Sequence, residues 1–237
     1  MIKFFRHIRK SLLMENKIST YLKYAIGEIV LVVIGILIAL QINNWNESKI
    51  EHLEERTYYK NIQRQITEDK NAIVANIEYN NRFLKQFQLA IKIIEENDRT
   101  KVDTLAIISL NLTEFSDFHR QGNIFETMVN SGEIKLLKNQ RIVEALQQLE
   151  EKYIFINKLE DLHSQAIVNF VVPSILSSLK VYGIVARDID NLYSYQFQNQ
   201  FALLSDLMLE KNEAYENAVS RIQDINSLIE DEIGAKN

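Results

Sequence analysis

One apolar stretch near the N-terminus constrains this chain more than any other feature. Residues 24–42, YAIGEIVLVVIGILIALQI, contain only Glu28 and Gln41 as strongly polar side chains. In an α-helix these nineteen residues would be about 28 Å long, close to the ~30 Å hydrocarbon thickness of a bilayer. We therefore predict a transmembrane helix over residues 24–42.

Charge is distributed unequally on the two sides of this stretch. Residues 1–23 carry a net charge of +5, whereas the residues after Trp45 carry 21 basic and 30 acidic side chains, a net charge of −9. Basic residues in a short flanking segment keep that segment cytoplasmic. Residues 1–23 are thus predicted to be cytoplasmic and residues 43–237 to lie on the other side of the membrane, which in a Gram-negative bacterium is the periplasmic side of the inner membrane. The positive-inside residues are Lys3, Arg6, Arg9, Lys10, Lys17 and Lys23.

A cleaved signal peptide is the alternative interpretation of the N-terminus, because it also joins a basic start to an apolar core. Cleavage needs small residues in an A-x-A-like arrangement, and residues 39–45, ALQINNW, offer none. Aromatic residues also flank the span where amphipathic rings favour the headgroup regions, with Tyr21 and Tyr24 before it and Trp45 after it. These features favour an uncleaved anchor.

Glu28, Gly35 and Ala39 share one stripe of the predicted helix, because they lie within roughly 20° of one line at about 100° per residue. Two small residues four apart allow two helix backbones to approach closely. A carboxyl group on this stripe could lie in an interface between helices. It could also reach water or pair with Lys23 near the headgroups, or belong to an ion or proton path.

The residues after the span favour long helices, since 237 residues contain one proline and six glycines. Residues 43–96 form an amphipathic pattern that continues the anchor without a break. The polar residues Asp69, Asn76 and Asn80 interrupt its apolar stripe, either to fix register or as solvated positions. The stripe consists of Tyr59, Ile62, Ile66, Ile73, Ile77, Leu84, Phe87, Ile91 and Ile94.

Several further elements follow in order. We predict a short helix over residues 105–112, a helix begun by the cap Asn123 and stopped at Gly132, and a long helix from Asn139 that Pro173 ends or kinks. One side of this long helix includes His163, expected as a hydrogen-bonded residue at a helix interface, and Phe170. Residues 183–197 are predicted as a loop with an extended YSYQF segment, and residues 199–233 as a final helix.

Three long amphipathic helices predict an all-α fold, in which a transmembrane helix continues into an elongated antiparallel helical bundle with coiled-coil-like packing. The pattern contains no nucleophile, phosphate-binding or zinc-protease motif, and no cysteine. Asp117, His119 and Glu126 match no metal-ligand spacing, and the other glutamates are interpreted as solvated. We therefore expect no catalytic residue, metal or cofactor, and no nucleic acid partner for the acidic domain.

Two segments resemble an uncharacterised family of single-pass membrane proteins of Gram-negative bacteria. The first is the basic start MIKFFRHIRK followed by YAIGEIVLVVIGILIALQINNWNE, and the second is SGEIKLLKNQRIVEALQQLEEKY, residues 131–153. The resemblance implies a domain of unknown function and supplies no site residue. Our hypothesis from the residues is a non-enzymatic scaffold that forms a homo-oligomer or binds an envelope partner beside the lipid bilayer. Two competing hypotheses are a periplasmic sensor or ligand-binding module, and a subunit of an ion-conducting assembly that uses Glu28.

The charge asymmetry makes a prediction about orientation. Alkaline phosphatase, which is active only in the periplasm, should be active when fused after Asn237, because the basic flank holds the N-terminus inside. A fluorescent protein that matures only in the cytoplasm should remain dark at the same position. Fluorescence of that second fusion would contradict the predicted topology.

Overall fold

A computed structural model of the chain describes residues 18–120 and 122–235. Within them the fold is helical, with one pair of two-residue strands, and the chain divides into two compact units, Met1–Glu55 and Arg56–Asn237. The all-α prediction is confirmed, since the apolar N-terminal helix continues into a helical bundle. Lys3, Arg6, Arg9, Lys10 and Lys17 lie outside the described residues.

The first helix, α1 (Ile18–Glu95), runs from the predicted anchor into the second unit. In its apolar part an 18-residue window has a mean hydropathy of 2.6, and none of that window is buried, so the helix is long and apolar enough to cross a membrane. Beyond Glu55 its pattern changes, because every third or fourth residue becomes buried. Tyr59, Ile62, Ile73 and Phe87 are among these buried positions.

A turn ends α1 close to residue 96, where the predicted amphipathic pattern ends. Asn97 has a φ of 50°, a left-handed conformation that asparagine tolerates better than most residues. The Asp98 side chain then accepts a hydrogen bond of 3.2 Å from the backbone N–H of Thr100 and caps the short 3₁₀ turn Arg99–Lys101. The helix α2 (Val102–Leu110) and a 3₁₀ turn (Asn111–Thr113) follow, and α2 begins three residues before the predicted 105–112 helix.

Capping residues set the bounds of the next two helices. Asn123 accepts a hydrogen bond of 2.9 Å from the N–H of Glu126 at the start of α3 (Ile124–Ser131), and Gly132 ends it with a φ of 78°. After the 3₁₀ turn Glu133–Leu136, Asn139 caps α4 (Gln140–Ala166) in the same way. The predicted cap at Asn123, the glycine stop at Gly132 and the predicted start of the long helix at Asn139 are confirmed.

A π-helical turn (Ile167–Val171) joins α4 to α5 (Val172–Ser178), whose second residue is Pro173. Its wider turn changes the burial period to four residues, so Ile167, Val171 and Ile175 are buried and Phe170 is 66% exposed. The prediction that Phe170 continues the buried side of α4 is therefore wrong. A regular α-helical period does not persist through a π turn.

The loop predicted over residues 183–197 contains more regular structure than expected. Strands β1 (Leu179–Lys180) and β2 (Val185–Ala186) pair antiparallel, and α6 (Ile189–Leu192) follows. The final helix, α7 (Tyr195–Ala235), begins inside the YSYQF sequence, so an extended conformation there is wrong. Phe197 is completely buried on this first turn, and that packing favours the helix.

The long helices of the bundle have different relative directions. Backbone N–H of Asn139 donates to the Tyr59 hydroxyl at 3.3 Å, and the Tyr153 hydroxyl lies 3.1 Å from Asp69, so α1 and α4 run parallel. Gln63, however, donates to Glu230 at 3.3 Å and Asn80 donates to Asn212 at 2.8 Å, so α7 runs antiparallel to both. The parallel pair arises because residues 114–120 have no helical structure and return the chain along the bundle.

Two apolar cores follow one another along the bundle. The first contains residues from 59–73 of α1, 142–159 of α4 and 214–229 of α7, together with Phe118, Met128 and Leu137. The second contains residues 83–94, 105–112, 167–179 and 192–208. Between these two sets of ranges, α1, α4 and α7 each contribute buried polar residues, among them Asn80, Glu160 and Lys211.

Candidate functional site

The predicted membrane residues lie on the apolar part of α1. Glu28 is half-buried, whereas Gly35 and Ala39 are exposed, and a Cβ atom added at Gly35 would have no neighbouring atom within 4 Å. The Trp45 ring is 67% exposed, and the Lys49 ammonium lies 5.8 Å from its centroid. The helix thus leaves Gly35 and Ala39 open on the single chain, and the role of the stripe in packing stays a prediction.

Three other residues predicted at the membrane surface belong to the same helix. Lys23 is exposed on α1. Tyr21 and Tyr24 also lie within α1, but their side chains are outside the described part of the structure. Their assignment to the headgroup region therefore remains an expectation from the sequence.

The three titratable residues considered for a metal do not converge. The Asp117 carboxylate pairs with the His119 imidazole at 3.1 Å, while Glu126 accepts a hydrogen bond from the Asn123 amide in its own helix cap. Among residues 18–120 and 122–235, no group of three or more histidine, aspartate or glutamate side chains is arranged to hold a metal ion.

The most distinctive polar arrangement is a buried cluster between the two apolar cores, which we call the polar layer. It contains residues from α1, α4 and α7 and from residues 114–120, which we call the return segment, and each member is at most 7% exposed. Its members are Asn80, Ser116, Glu160, His163, Lys211, Asn212 and Tyr215.

Glu160 is the acceptor at the centre of the polar layer. Its carboxylate receives a hydrogen bond of 2.9 Å from the backbone N–H of Phe118 and another from the Tyr215 hydroxyl. Burial raises the pKa of Glu160, while these two donors and the positive charge of Lys211 oppose that rise. The expectation that such glutamates are solvated is wrong here, because the return segment covers this face of α4.

Lys211 supplies the positive charge of the layer. Its ammonium donates to the Ser116 carbonyl oxygen at 3.1 Å and lies 5.7 Å from the centroid of the Phe115 ring. Burial lowers the pKa of Lys211 to about 8, against the opposing effect of the Glu160 and Asp117 charges. The ammonium is therefore still protonated at neutral pH and compensates the buried carboxylate.

An amide pair extends the layer to α1. The Asn80 side chain donates to Asn212 at 2.8 Å, and Asn212 donates in turn to Asn81 at 3.0 Å. Asp69 is likewise buried, and the Tyr153 hydroxyl lies 3.1 Å from it. For Asp69 and Asn80 the solvated interpretation is wrong, and these contacts fix how α1 is aligned with α4 and α7.

His163 differs from its neighbours in the layer. It is completely buried at a helix interface, as predicted, but neither ring nitrogen has a hydrogen-bond partner among the described residues, so the expected hydrogen bonding is wrong. Burial and the nearby Lys211 charge lower the pKa of His163 to about 3. Its ring centroid lies 5.9 Å from that of Phe115, so the imidazole packs as a neutral aromatic group.

The positions of Lys211 and Glu160 on the helix stripes indicate this layer in the sequence, although the overall distribution of charge does not. Lys211 lies three residues after Met208 and four before Tyr215, so it occupies a position of the buried stripe of α7. Glu160 lies four residues after Ile156 on the corresponding stripe of α4. A lysine and a glutamate on facing stripes, each bounded by buried apolar residues, indicate a buried charge pair rather than solvated faces.

Comparison with known proteins gives a family but no function. The model of a family described as "Family of unknown function (DUF6090)" matches residues 28–172, which is more than half of the chain. No curated protein and no solved structure matches the chain. The resemblance to an uncharacterised family is thereby confirmed.

His163→Phe is expected to reduce the loss of stability in acid. The unfolded chain binds a proton at His163 near its ordinary pKa of 6.5, whereas the folded chain does so only near about 3. Folded protein therefore loses stability as the pH falls through this range, by up to about 1.4 kcal/mol per pH unit. Urea unfolding of the full chain, followed by circular dichroism at neutral and mildly acidic pH, measures the difference.

His119→Phe is the matched control, because the His119 side chain is 83% exposed. This control should lose stability in acid as the unsubstituted chain does. If His163→Phe shows the same acid-dependent loss as both of them, the buried neutral imidazole is not responsible for it.

Lys211→Met and Glu160→Gln should each lower the free energy of unfolding, and the loss in the double variant should differ from the sum of the two single losses. Lys211→Met leaves the Glu160 carboxylate buried without its compensating charge, at a cost of about 3 kcal/mol. The double variant should lose less stability than the two single variants together, because it contains neither charge. Additivity within about 0.5 kcal/mol, as expected for the exposed control pair Lys92 and Glu96, would contradict this coupling.

Proposed function

The chain belongs to the DUF6090 family of unknown function, and from that premise we propose that it is a non-enzymatic scaffold anchored in the inner membrane by one helix. The observation that supports this proposal is the continuity of α1, which carries an exposed apolar surface before Glu55 and a buried stripe after it. One helix thus joins a lipid-compatible surface to a folded bundle. Such a link suits a protein that positions its domain at a membrane.

In this proposal residues 1–23 are cytoplasmic and the bundle is periplasmic. The support is electrostatic, because a net charge of +5 before the span contrasts with −9 after Trp45. The acidic bundle is suited to protein or lipid neighbours better than to nucleic acid, whose phosphates require a basic surface.

The proposed scaffold self-associates through its membrane helix. Glu28, Gly35 and Ala39 form one stripe, and Gly35 and Ala39 are open to a neighbouring helix. Because lipid is as apolar as leucine, close backbone packing at small residues is the main attraction between such helices. A carboxyl group beside that contact can form a hydrogen bond across it.

The polar layer supports the non-enzymatic part of the proposal. Glu160, Lys211 and Tyr215 have the residue types of acid–base chemistry, but they are almost completely buried and bond to one another and to the return segment. These groups satisfy one another's hydrogen-bonding requirements and align the helices of the bundle. A substrate does not reach them in this conformation.

A sensor is the second candidate function, and the polar layer is the observation that favours it. Asn80 connects the layer to α1, and α1 is the helix that continues into the apolar stretch. A ligand that rearranged the layer would therefore act on the membrane-anchored helix. A change of the full chain's oligomeric mass on ligand addition would favour this candidate over a passive scaffold.

Gly35→Leu is expected to shift the chain toward monomer in a non-denaturing detergent. A Cβ atom added at Gly35 has no neighbour within 4 Å, so the chain leaves room for the leucine, and its expected effect is to push a second helix away. Light scattering of the full-length protein measures the mass in solution. Glu28→Gln should have a smaller effect, because an amide can still form a hydrogen bond.

Gly27→Leu is the matched control, since it makes the same change about 100° away from the stripe. It should leave the mass unchanged. An unchanged mass for Gly35→Leu would contradict association through the anchor. Any oligomer would then have to form through contacts of the bundle.

A further inference from the structure

A cavity of about 650 Å³ lies between the π turn, α5 and the first turns of α7. Its volume falls within the ~300–1,000 Å³ that is typical of small-molecule sites. None of its ten lining residues is charged, although charged residues make up 25% of the chain. Seven of the ten are asparagine, glutamine or serine, and the other three are Phe170, Pro173 and Leu203.

The base of the cavity is built from buried polar groups. Ser174 is 3% exposed, and its hydroxyl oxygen accepts hydrogen bonds from the side-chain amides of Gln196 at 2.8 Å and Gln200 at 2.7 Å. Gln200 is 8% exposed, and its Oε1 atom has no hydrogen-bond partner among the described residues. These contacts hold the amide groups in place before any ligand binds.

The π turn explains why the cavity forms here. The Phe170 carbonyl oxygen in this turn accepts hydrogen bonds from the Ser174 hydroxyl at 2.9 Å and from the Gln200 amide at 3.0 Å. The same turn directs the Phe170 ring outward, where it is 66% exposed, and Leu203 is 64% exposed on α7. Single π turns in α-helices are often found at functional sites.

The residues that line the cavity indicate which class of ligand would fit it. Amides and hydroxyls both donate and accept, so they match a ligand with many hydroxyl groups. A charged ligand would lose water here without gaining an opposite charge, which is costly. The exposed apolar groups, Phe170 and Leu203, can cover the C–H face of a sugar ring. These three properties together are met by a neutral carbohydrate.

We propose that this cavity binds a neutral oligosaccharide. Asn169, Gln196 and Asn199 line it and are the groups that would bond to sugar hydroxyls. Phe170 is the apolar contact. This site does not depend on the proposed self-association, because every residue in it belongs to the second unit.

The test uses the full chain in lipid nanodiscs, since sugar-headed detergents would compete for the site. The probes are chitotetraose and maltotetraose, both neutral, with tetragalacturonate as the charged comparison. Saturation-transfer NMR and titration calorimetry should detect at least one neutral probe, and tetragalacturonate should bind at least about tenfold more weakly. Failure of both neutral probes to bind, or tighter binding of tetragalacturonate, overturns the proposal.

Two variants locate the binding on the molecule. Phe170→Ala and Asn199→Ala should each weaken binding of the neutral probe by about fivefold or more, because each removes one contact. Phe155→Ala is the matched control, since Phe155 is 46% exposed on α4 and does not line this cavity. Circular dichroism should show the same helicity in all three. Binding that is unchanged by Phe170→Ala and Asn199→Ala, or equally weakened by Phe155→Ala, overturns the proposal.

Discussion

Compensation of the buried charges of Glu160 and Lys211 is the constraint on which the bundle depends. Removing an ion from water costs several kcal/mol, so each charge must find hydrogen bonds and an opposite charge within the protein. The Phe118 N–H, the Tyr215 hydroxyl and the Ser116 carbonyl supply those bonds. A shift of α7 by one turn would break these contacts together, whereas the apolar residues on either side could repack. The two apolar cores alone would allow more than one alignment of α7 along the bundle. The polar layer therefore determines which alignment forms.

The return segment makes this arrangement possible. By passing between α4 and α7 without helical structure, residues 114–120 bring backbone donors and acceptors to groups that helices cannot satisfy, because helical backbone groups already bond to one another. The segment also carries the chain back beside the start of α1's buried stripe, so α4 runs parallel to α1. A bundle with only short connections would be antiparallel throughout and would have no free backbone at this level.

The two parts of α1 suit different solvents within one helix. Before Glu55 its apolar side chains are exposed on all sides, which suits lipid, whereas beyond that residue only one stripe is apolar, which suits packing against α4 and α7. The bundle combines this connection with a buried polar layer and an uncharged cavity beside the π turn. The members of the layer are each at most 7% exposed, whereas the cavity is lined mainly by amides and hydroxyls, the groups on which the proposed binding rests.

The sequence by itself determined the long helices, the cap at Asn123, the glycine stop at Gly132 and the apolar span, because these depend on residues close in the chain. Asn123, Gly132 and Asn139 mark boundaries through local hydrogen bonds and φ preferences, and the period of the stripes follows from helix geometry. Tertiary structure alone decided which partners the buried polar residues have, where the period changes at Ile167, and that α1 and α4 are parallel. The physical reason is that these outcomes depend on partners distant in sequence: Lys211 lies on the buried stripe of α7, but the groups that satisfy its charge, Ser116 and Glu160, are 95 and about 50 residues away in the sequence.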